Sequence, residues 1–132
     1  MQSPVRIYED NHLLVVEKPP GIPTQADASG DPDLLGILKA DVKVRYGKPG
    51  AVYLGMVHRL DRPVGGVMVF ARTSKAAARL AKQVRERTFG KEYLAITRGT
   101  PPREGVLIHD LVKDRESNRV EVVPGGDSKS VV

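Results

Sequence analysis

The chain has no cysteine and no tryptophan, and only two phenylalanines occur among its 132 residues. Without thiols, a disulfide framework, a thiolate metal site and cysteine catalysis are all excluded. The scarcity of large aromatic rings argues against a protein that reads single strands by stacking bases on aromatic platforms. The three histidines, His12, His58 and His109, lie far apart, so the sequence shows no metal-ligand cluster at short spacing and predicts no metal site.

Long apolar runs are missing as well. The longest covers only residues 67–71, so no transmembrane helix and no membrane partner are expected. The first residues lack the basic and apolar stretches that are typical of a signal peptide. A chain of this length has room for one domain, residues 1–132, and together with the absence of cysteine these features predict a cytoplasmic protein.

Positive charge is present in excess and is concentrated in one segment. The whole chain carries a formal charge of +5, but residues 59–91 contain nine basic and only two acidic residues. The rest of the chain has twelve basic and fourteen acidic residues. A single basic segment is typical of a partner that is a polyanion, most often a nucleic acid, although a solvated helix face has the same composition.

Hydrophobic periodicity and turn residues predict the following order of elements. Strands are expected at residues 5–8, 13–17, 67–70, 93–97, 106–112 and 119–123. Helices are expected at 32–46, with Asp31 as N-cap, and from a cap at Thr73 or Ser74 to about Arg87. Residues 51–57 are either a strand or an extended lead-in, and loops at 24–30 and 58–66 and a turn at 124–127 complete the order.

Three further expectations concern how these elements pack. Residues 67–70 read as a strand buried on both faces, and residues 128–132 resemble the start of a strand that lacks a partner. The second helix has an apolar stripe on one face and places Lys75, Arg79 and Lys82 on another. Because strands and helices do not alternate regularly, we predict an α+β fold with a mixed, largely antiparallel sheet and flanking helices.

Residues 58–66 carry the strongest chemical signal, because one carboxylate, Asp61, lies between Arg59 and Arg62 in a glycine-containing loop. Neighbouring guanidinium groups favour an ionised carboxylate, which can act as a nucleophile, a general base or an electrostatic stabiliser. Alternatively, Asp61 forms an ion pair with one of these arginines and orders the loop. His58 reads as a loop-packing or hydrogen-bonding residue. The spacing fits neither a kinase catalytic loop nor a Walker loop.

Three segments resemble the RluA-type pseudouridine synthases in the right order. Residues 58–71 resemble the family's active-site motif, His-Arg-Leu-Asp followed by a Gly-containing turn and a strand that ends in Phe-Ala. Residues 10–21 resemble its opening strand with a Lys-Pro-x-Gly turn, and residues 91–95 resemble its Lys-x-Tyr-x-Ala strand. The resemblance implies a pseudouridine synthase-like fold and an enzyme that isomerises uridine in rRNA or tRNA without metal or cofactor.

The resemblance also implies roles for individual residues. Asp61 would be the catalytic aspartate, Arg59 would hold the nucleotide or fill the space left by the flipped base, and Tyr93 would lie against the uracil ring. Further contacts to RNA are expected from basic residues, namely Arg62, Lys18, Lys75, Arg79 and Lys82.

The family's later Gly-Arg-x-His-Gln-Ile-Arg segment has no counterpart in this sequence. We therefore expect a partial catalytic domain that is truncated at its C-terminus and has no N-terminal RNA-binding appendage. Two other functions stay open from the residues. One is an RNA-binding fragment without catalysis, and the other is a different aspartate-dependent enzyme such as a glycoside hydrolase, which commonly needs a second carboxylate near the first.

Overall fold

The computed structural model describes residues 4–124 and, for the backbone only, residues 128–131. The chain divides into two compact units, Met1–Lys91 and Glu92–Val132, which are described separately. The elements in chain order are β1 (Val5–Glu9), β2 (Leu13–Lys18), α1 (Leu34–Arg45), β3 (Gly55–Met56), β4 (Gly66–Ala71), α2 (Ser74–Arg85), β5 (Ile108–Asp114), β6 (Arg119–Val122) and β7 (Ser128–Val131).

The first unit is built on a four-stranded antiparallel sheet in the order β1-β2-β4-β3. Alternate residues of β2 and β4 face one side, where Leu14 lies opposite Phe70 and Val16 opposite Met68. All four of these side chains are almost completely buried, and they form the hydrophobic core together with residues of α1 and the segment before β3. Burial of this apolar surface is the main stabilising contribution to the unit.

Helix α1 covers the core face of the sheet with Leu34, Leu38 and Val42, as the sequence pattern predicts. The predicted N-cap is wrong, however. Asp33, not Asp31, caps the helix, since its side chain accepts a hydrogen bond of 3.0 Å from the Gly36 N–H. The carboxylate of Asp31 is engaged elsewhere, in an ion pair with the Arg62 guanidinium.

The opposite face of the sheet is only partly covered, by α2. Ala77 packs beside Gly55 and Ala71, at the edge formed by β3 and β4. Val67, which points to this side, remains 61% exposed. The prediction that residues 67–70 are buried on both faces is therefore wrong, because α1 covers its face of β4 fully and α2 covers only one end of the other face.

The far end of the sheet is held by a charged cluster around Glu9. The Glu9 carboxylate accepts hydrogen bonds from Arg45 and from the Tyr46 hydroxyl, both at the end of α1. Arg72, which follows β4, lies over the Tyr46 ring at 4.5 Å from its centroid and pairs with Glu9. These contacts attach the end of α1 to β1 and β4, away from the loop that carries Asp61.

The second unit contains a three-stranded antiparallel sheet in the order β6-β5-β7. The strand expected near the end of the chain does have a partner, because β7 pairs with the first half of β5. The predicted strand at residues 93–97 is absent, and these residues are exposed. Of the predicted turn at residues 124–127, residues 125–127 lie outside the described part of the chain.

The α+β class and the largely antiparallel sheets agree with the prediction from the sequence, and all strand pairs among the described residues are antiparallel. In the described ranges, 4–124 and 128–131, no helix is long and apolar enough to cross a membrane.

Candidate active site

The loop that joins β3 to β4, residues 57–65, carries Asp61 at a tight turn. The Val64 N–H donates to the Asp61 carbonyl oxygen at 3.0 Å, and this bond closes the turn. The Asp61 side chain is exposed. Within the part of the chain that the structure describes, its carboxylate forms no ion pair, so the pairing with Arg59 or Arg62 that the sequence left open does not occur.

Lys18 lies beneath this loop and has no exposed surface. Its ammonium donates hydrogen bonds to three backbone carbonyls, those of Pro19 at 3.1 Å, Arg62 at 3.1 Å and Val64 at 2.7 Å. Burial lowers the pKa of Lys18, while the nearby carboxylate of Asp61 opposes this shift. The geometry does not support the phosphate contact predicted for Lys18, because all three donors are directed at the protein backbone.

Thr24 holds the residue before Asp61. Its buried hydroxyl donates to the Leu60 carbonyl at 2.6 Å and accepts from the Leu60 N–H at 3.3 Å. On the other side of Asp61, the Arg62 carbonyl accepts from the Gly21 N–H at 2.7 Å in addition to its bond from Lys18. Both neighbours of Asp61 are thus hydrogen-bonded to residues 18–24, while the Asp61 side chain remains open to solvent.

The close approach of these segments depends on Gly65. A Cβ atom at this position would lie 3.1 Å from Pro20 Cδ and 3.3 Å from the Lys18 carbonyl oxygen. The next residue, Gly66, has φ +150°, a conformation that residues with a side chain rarely adopt. The two glycines of the motif therefore allow the Asp61 loop to pack on the Lys-Pro-Pro-Gly turn that follows β2.

His58 fastens the start of the loop to the middle of β4. Its Nε2 accepts a hydrogen bond of 3.0 Å from the Val69 N–H, which requires that nitrogen to be unprotonated. Burial lowers the pKa of His58, and the positive charge of Lys91 lowers it further. The His58 ring also contacts Phe89, with 5.3 Å between centroids. This contact brings the segment after α2 next to the Asp61 loop.

The predicted RNA-binding residues of the first unit occupy different environments. Arg59 is exposed two residues before Asp61, and three cations lie exposed on α2, namely Lys75, Arg79 and Lys82. Lys82 is 3.9 Å from Glu86, a contact too long and too exposed to neutralise it effectively. Arg62 differs from these cations, because its guanidinium pairs with Asp27 at 2.9 Å and Asp31 at 2.8 Å.

Tyr93 belongs to the second unit and is 64% exposed. It lies in a segment that forms neither helix nor strand, so its predicted place against the uracil ring stays a prediction.

The loop partners of Arg62 were missed by the reading of the sequence, which treated residues 24–30 only as a polar loop. The pattern Asp27-x-Ser29 was the available signal, since an aspartate that accepts from the N–H two residues later is typical of an Asx turn. That bond is present at 3.0 Å. In the described part of the chain, no group of three or more histidine or acidic side chains is placed to hold a metal ion.

Comparison with known protein families identifies the family of this chain. The family model described as RNA pseudouridylate synthase matches residues 12–131, which include the whole of the Asp61 loop and all its partners. The chain belongs to the RNA pseudouridylate synthase family.

Named members of the pseudouridylate synthase family are similar to this chain. Pseudouridylate synthase RPUSD4, mitochondrial, from Xenopus tropicalis is 38% identical over 102 residues, which are 76% of this chain and 31% of that protein. Ribosomal large subunit pseudouridine synthase C from Escherichia coli K12 is 39% identical over 95 residues, which are 72% of this chain and 28% of that protein.

A solved structure of human RNA pseudouridylate synthase domain containing 4 has the same fold. It matches 96% of this chain with a TM-score of 0.73 and 26% sequence identity, and this chain covers 50% of it. The chain thus spans less than a third of these two curated relatives and half of the solved human structure.

Proposed function

We propose that this chain forms the part of an RNA pseudouridine synthase that carries the catalytic aspartate, Asp61. The observation that carries the proposal is that this carboxylate, which lies within the region matched by the family, is exposed while the backbone around it is held in place. The backbone on both sides of Asp61 is hydrogen-bonded to residues 18–24, but the side chain is exposed and forms no ion pair among the described residues. Such a carboxylate is positioned in advance and free to meet a substrate.

In the proposed reaction, Asp61 promotes detachment of the uracil from its sugar. The bond between N1 and the sugar C1′ breaks, the base turns, and a bond forms between C5 and C1′. The hydrogen on C5 leaves as a proton and N1 gains one, so no redox partner is required. Attack of the aspartate on the sugar, attack on the ring and removal of a sugar proton are all compatible with an exposed carboxylate.

The substrate that we propose is ribosomal RNA, because the Escherichia coli relative is named for the large ribosomal subunit. Transfer RNA is the alternative, and a cytoplasmic location is our working expectation. The base must leave a helix before its glycosidic bond is accessible. Arg59, which is exposed two residues before Asp61, is proposed to hold the nucleotide or fill the space of the flipped base. Tyr93 is proposed as the residue that lies against the uracil ring.

Replacing Asp61 with asparagine tests the activity directly. We expect Asp61→Asn to abolish release of tritium from C5-labelled uridine in cellular RNA, while the unfolding midpoint and RNA affinity stay close to those of the unchanged chain. Because every pseudouridine formed must expel the C5 hydrogen, the assay does not presuppose the target site. Turnover that survives Asp61→Asn would contradict the assignment of Asp61.

Binding of the RNA backbone is proposed for the basic face of α2. Replacing Lys75, Arg79 and Lys82 with glutamine should weaken RNA binding and reduce the slope of log affinity against log salt by about 2, because each phosphate contact to single-stranded RNA contributes about 0.7. Filter binding at several salt concentrations measures this slope, and an unchanged slope would contradict the role of α2.

The exposed basic face of α2 also favours a second candidate function, an RNA-binding unit without catalysis. It predicts binding that depends on α2 and is indifferent to Asp61, with no tritium release from any version of the chain.

A further inference from the structure

We propose that Arg62 is a positioning residue for Asp61 and does not bind RNA. The inference deepens the proposed function and rests on it, since it concerns how the same aspartate is held. It departs from the prediction made from the sequence, which counted Arg62 among the residues that contact RNA.

The guanidinium of Arg62 is occupied by one short loop, residues 27–31. Nη1 donates to Asp31 Oδ2 at 2.8 Å, and Nη2 donates to Asp27 Oδ2 at 2.9 Å and to the Ser29 hydroxyl at 2.8 Å. Two carboxylates face one cation, so the net charge of this cluster is negative. A phosphate group would meet repulsion here, not the attraction that an RNA contact needs.

The loop is itself organised to receive Arg62. The Ser29 hydroxyl donates to Asp27 Oδ1 and accepts from the Asp31 N–H at 3.2 Å, and the Ser29 N–H donates to Asp27 Oδ1 at 3.0 Å. Hydrogen bonds from Ser29 and Arg62 lower the pKa of Asp27 to about 2. The two carboxylates that pair with Arg62 are therefore held in place in the absence of a substrate.

The backbone of the same arginine connects this loop to the catalytic turn. The Arg62 carbonyl accepts from Gly21 and from Lys18, and Arg62 is the residue directly after Asp61 in the turn closed by Val64. A change in the guanidinium contacts is thus transmitted through one residue to the position of the Asp61 carboxylate. Displacement of a catalytic group by about 1 Å is enough to slow a reaction by about 100-fold.

Removing the positive charge of Arg62 in one variant and the negative charges of Asp27 and Asp31 in another distinguishes positioning of Asp61 from binding of RNA. If Arg62 positions Asp61, both Arg62→Gln and the double variant Asp27→Asn with Asp31→Asn should lower the single-turnover rate at saturating RNA by about 10- to 100-fold. RNA affinity should then be retained or rise. If Arg62 binds RNA, Arg62→Gln should weaken binding, whereas the asparagine pair, which frees the cation, should tighten binding and leave the rate unchanged.

The matched control removes two acidic charges elsewhere, with Glu104→Gln and Glu121→Gln, both exposed and distant in sequence from the loop. This control should keep the full rate. Combining Arg62→Gln with the asparagine pair should slow the reaction no more than either change alone, because both break the same contacts. Additive losses would overturn the proposal.

A measurement that needs no RNA separates this inference from the proposed function. Hydrogen exchange of the Gly21 and Val64 amides, which bond to the carbonyls of Arg62 and Asp61, should speed up at least tenfold in the asparagine pair and remain unchanged in the control. Equal exchange in both would overturn the coupling. If the unchanged chain forms no pseudouridine, the proposed function has failed, and amide exchange still decides whether Arg62 holds the turn.

Discussion

At the scale of single residues, the site depends on where polar groups point more than on which groups are present. Lys18 and Arg62 are both basic and both flank the catalytic segment, yet one is buried under three carbonyls and the other is paired with two carboxylates. Arg59, two residues before Asp61, is exposed, so its charge is accessible to a substrate. These three basic side chains therefore differ in role because their charged groups face different partners.

The residue that tests this arrangement most simply is Gly65. Replacing it with alanine should destabilise the fold by about 1–3 kcal/mol, because the new Cβ meets Pro20 and the Lys18 carbonyl, which is backbone and yields little. Urea unfolding measures the loss.

Gly50→Ala is the matched control, since a Cβ there meets no atom within 4 Å and its φ is ordinary. That change should stay within about 0.5 kcal/mol of the unchanged chain. Equal stability of the two variants would show that the contact at Gly65 is not tight.

Part of the residue-scale geometry was accessible from the sequence. The motif predicted Asp61 in a loop that leads into a strand. His58 was interpreted as a packing or hydrogen-bonding residue, and the hydrogen bond that it accepts from the Val69 N–H agrees with this interpretation. The partners of Arg62 were not accessible, because they lie 31 and 35 residues away, and charge patterns carry no information on which distant loop folds back.

At the scale of elements, the two helices are attached very differently. Helix α1 buries three large apolar side chains against the sheet, whereas the only buried side chain in α2 is that of Ala76. Most of the stability of a protein helix comes from packing of its apolar face. We therefore expect α1 to be part of the stable core and α2 to open more easily.

Two leucine-to-alanine substitutions compare these attachments. Leu38→Ala, at a side chain only 4% exposed, should lower the free energy of unfolding by about 2–5 kcal/mol. Leu80→Ala, at a half-buried side chain of α2, should cost about 1 kcal/mol. Urea unfolding with an unchanged m-value is the measurement, and an equal cost at both positions would contradict the difference in packing.

Secondary structure was predicted correctly where the local sequence pattern determines it. The predictions were wrong where a strand depends on pairing with another strand. The 3.6-residue pattern predicted both helices to within a few residues, although the N-cap of α1 is Asp33, while Asp31 pairs with Arg62. Residues 93–97 have the composition of a strand but no neighbouring strand pairs with them among the described residues. The last strand, β7, does find a partner in β5, which composition alone could not show.

At the scale of the whole chain, apolar burial is uneven. The buried hydrophobic residues that the structure describes all belong to the first unit. In the second unit, large apolar side chains are exposed, including Leu94 and Ile96, and residues 92–107 form neither helix nor strand. The hydrophobic contribution to stability is thus concentrated before Lys91.

Limited proteolysis should reveal this division. Brief treatment with trypsin should cut first after Lys91, Arg98 or Arg103, because exposed backbone without hydrogen-bonded structure is the preferred substrate of proteases. Mass spectrometry should then detect a resistant fragment that begins at Met1. Early cleavage inside α1 would instead mean that the first unit is not the stable part.

The burial of Lys18 has a consequence for chemical labelling. Amine-reactive reagents acylate accessible lysines, so Lys75 and Lys82 should be modified rapidly while Lys18 is protected by the loop above it. Lys18 becomes reactive only when the carbonyls of Arg62 and Val64 move away from its ammonium. The rate at which this single amine takes up label therefore reports, in any solution and without a substrate, how often the segment that carries Asp61 opens.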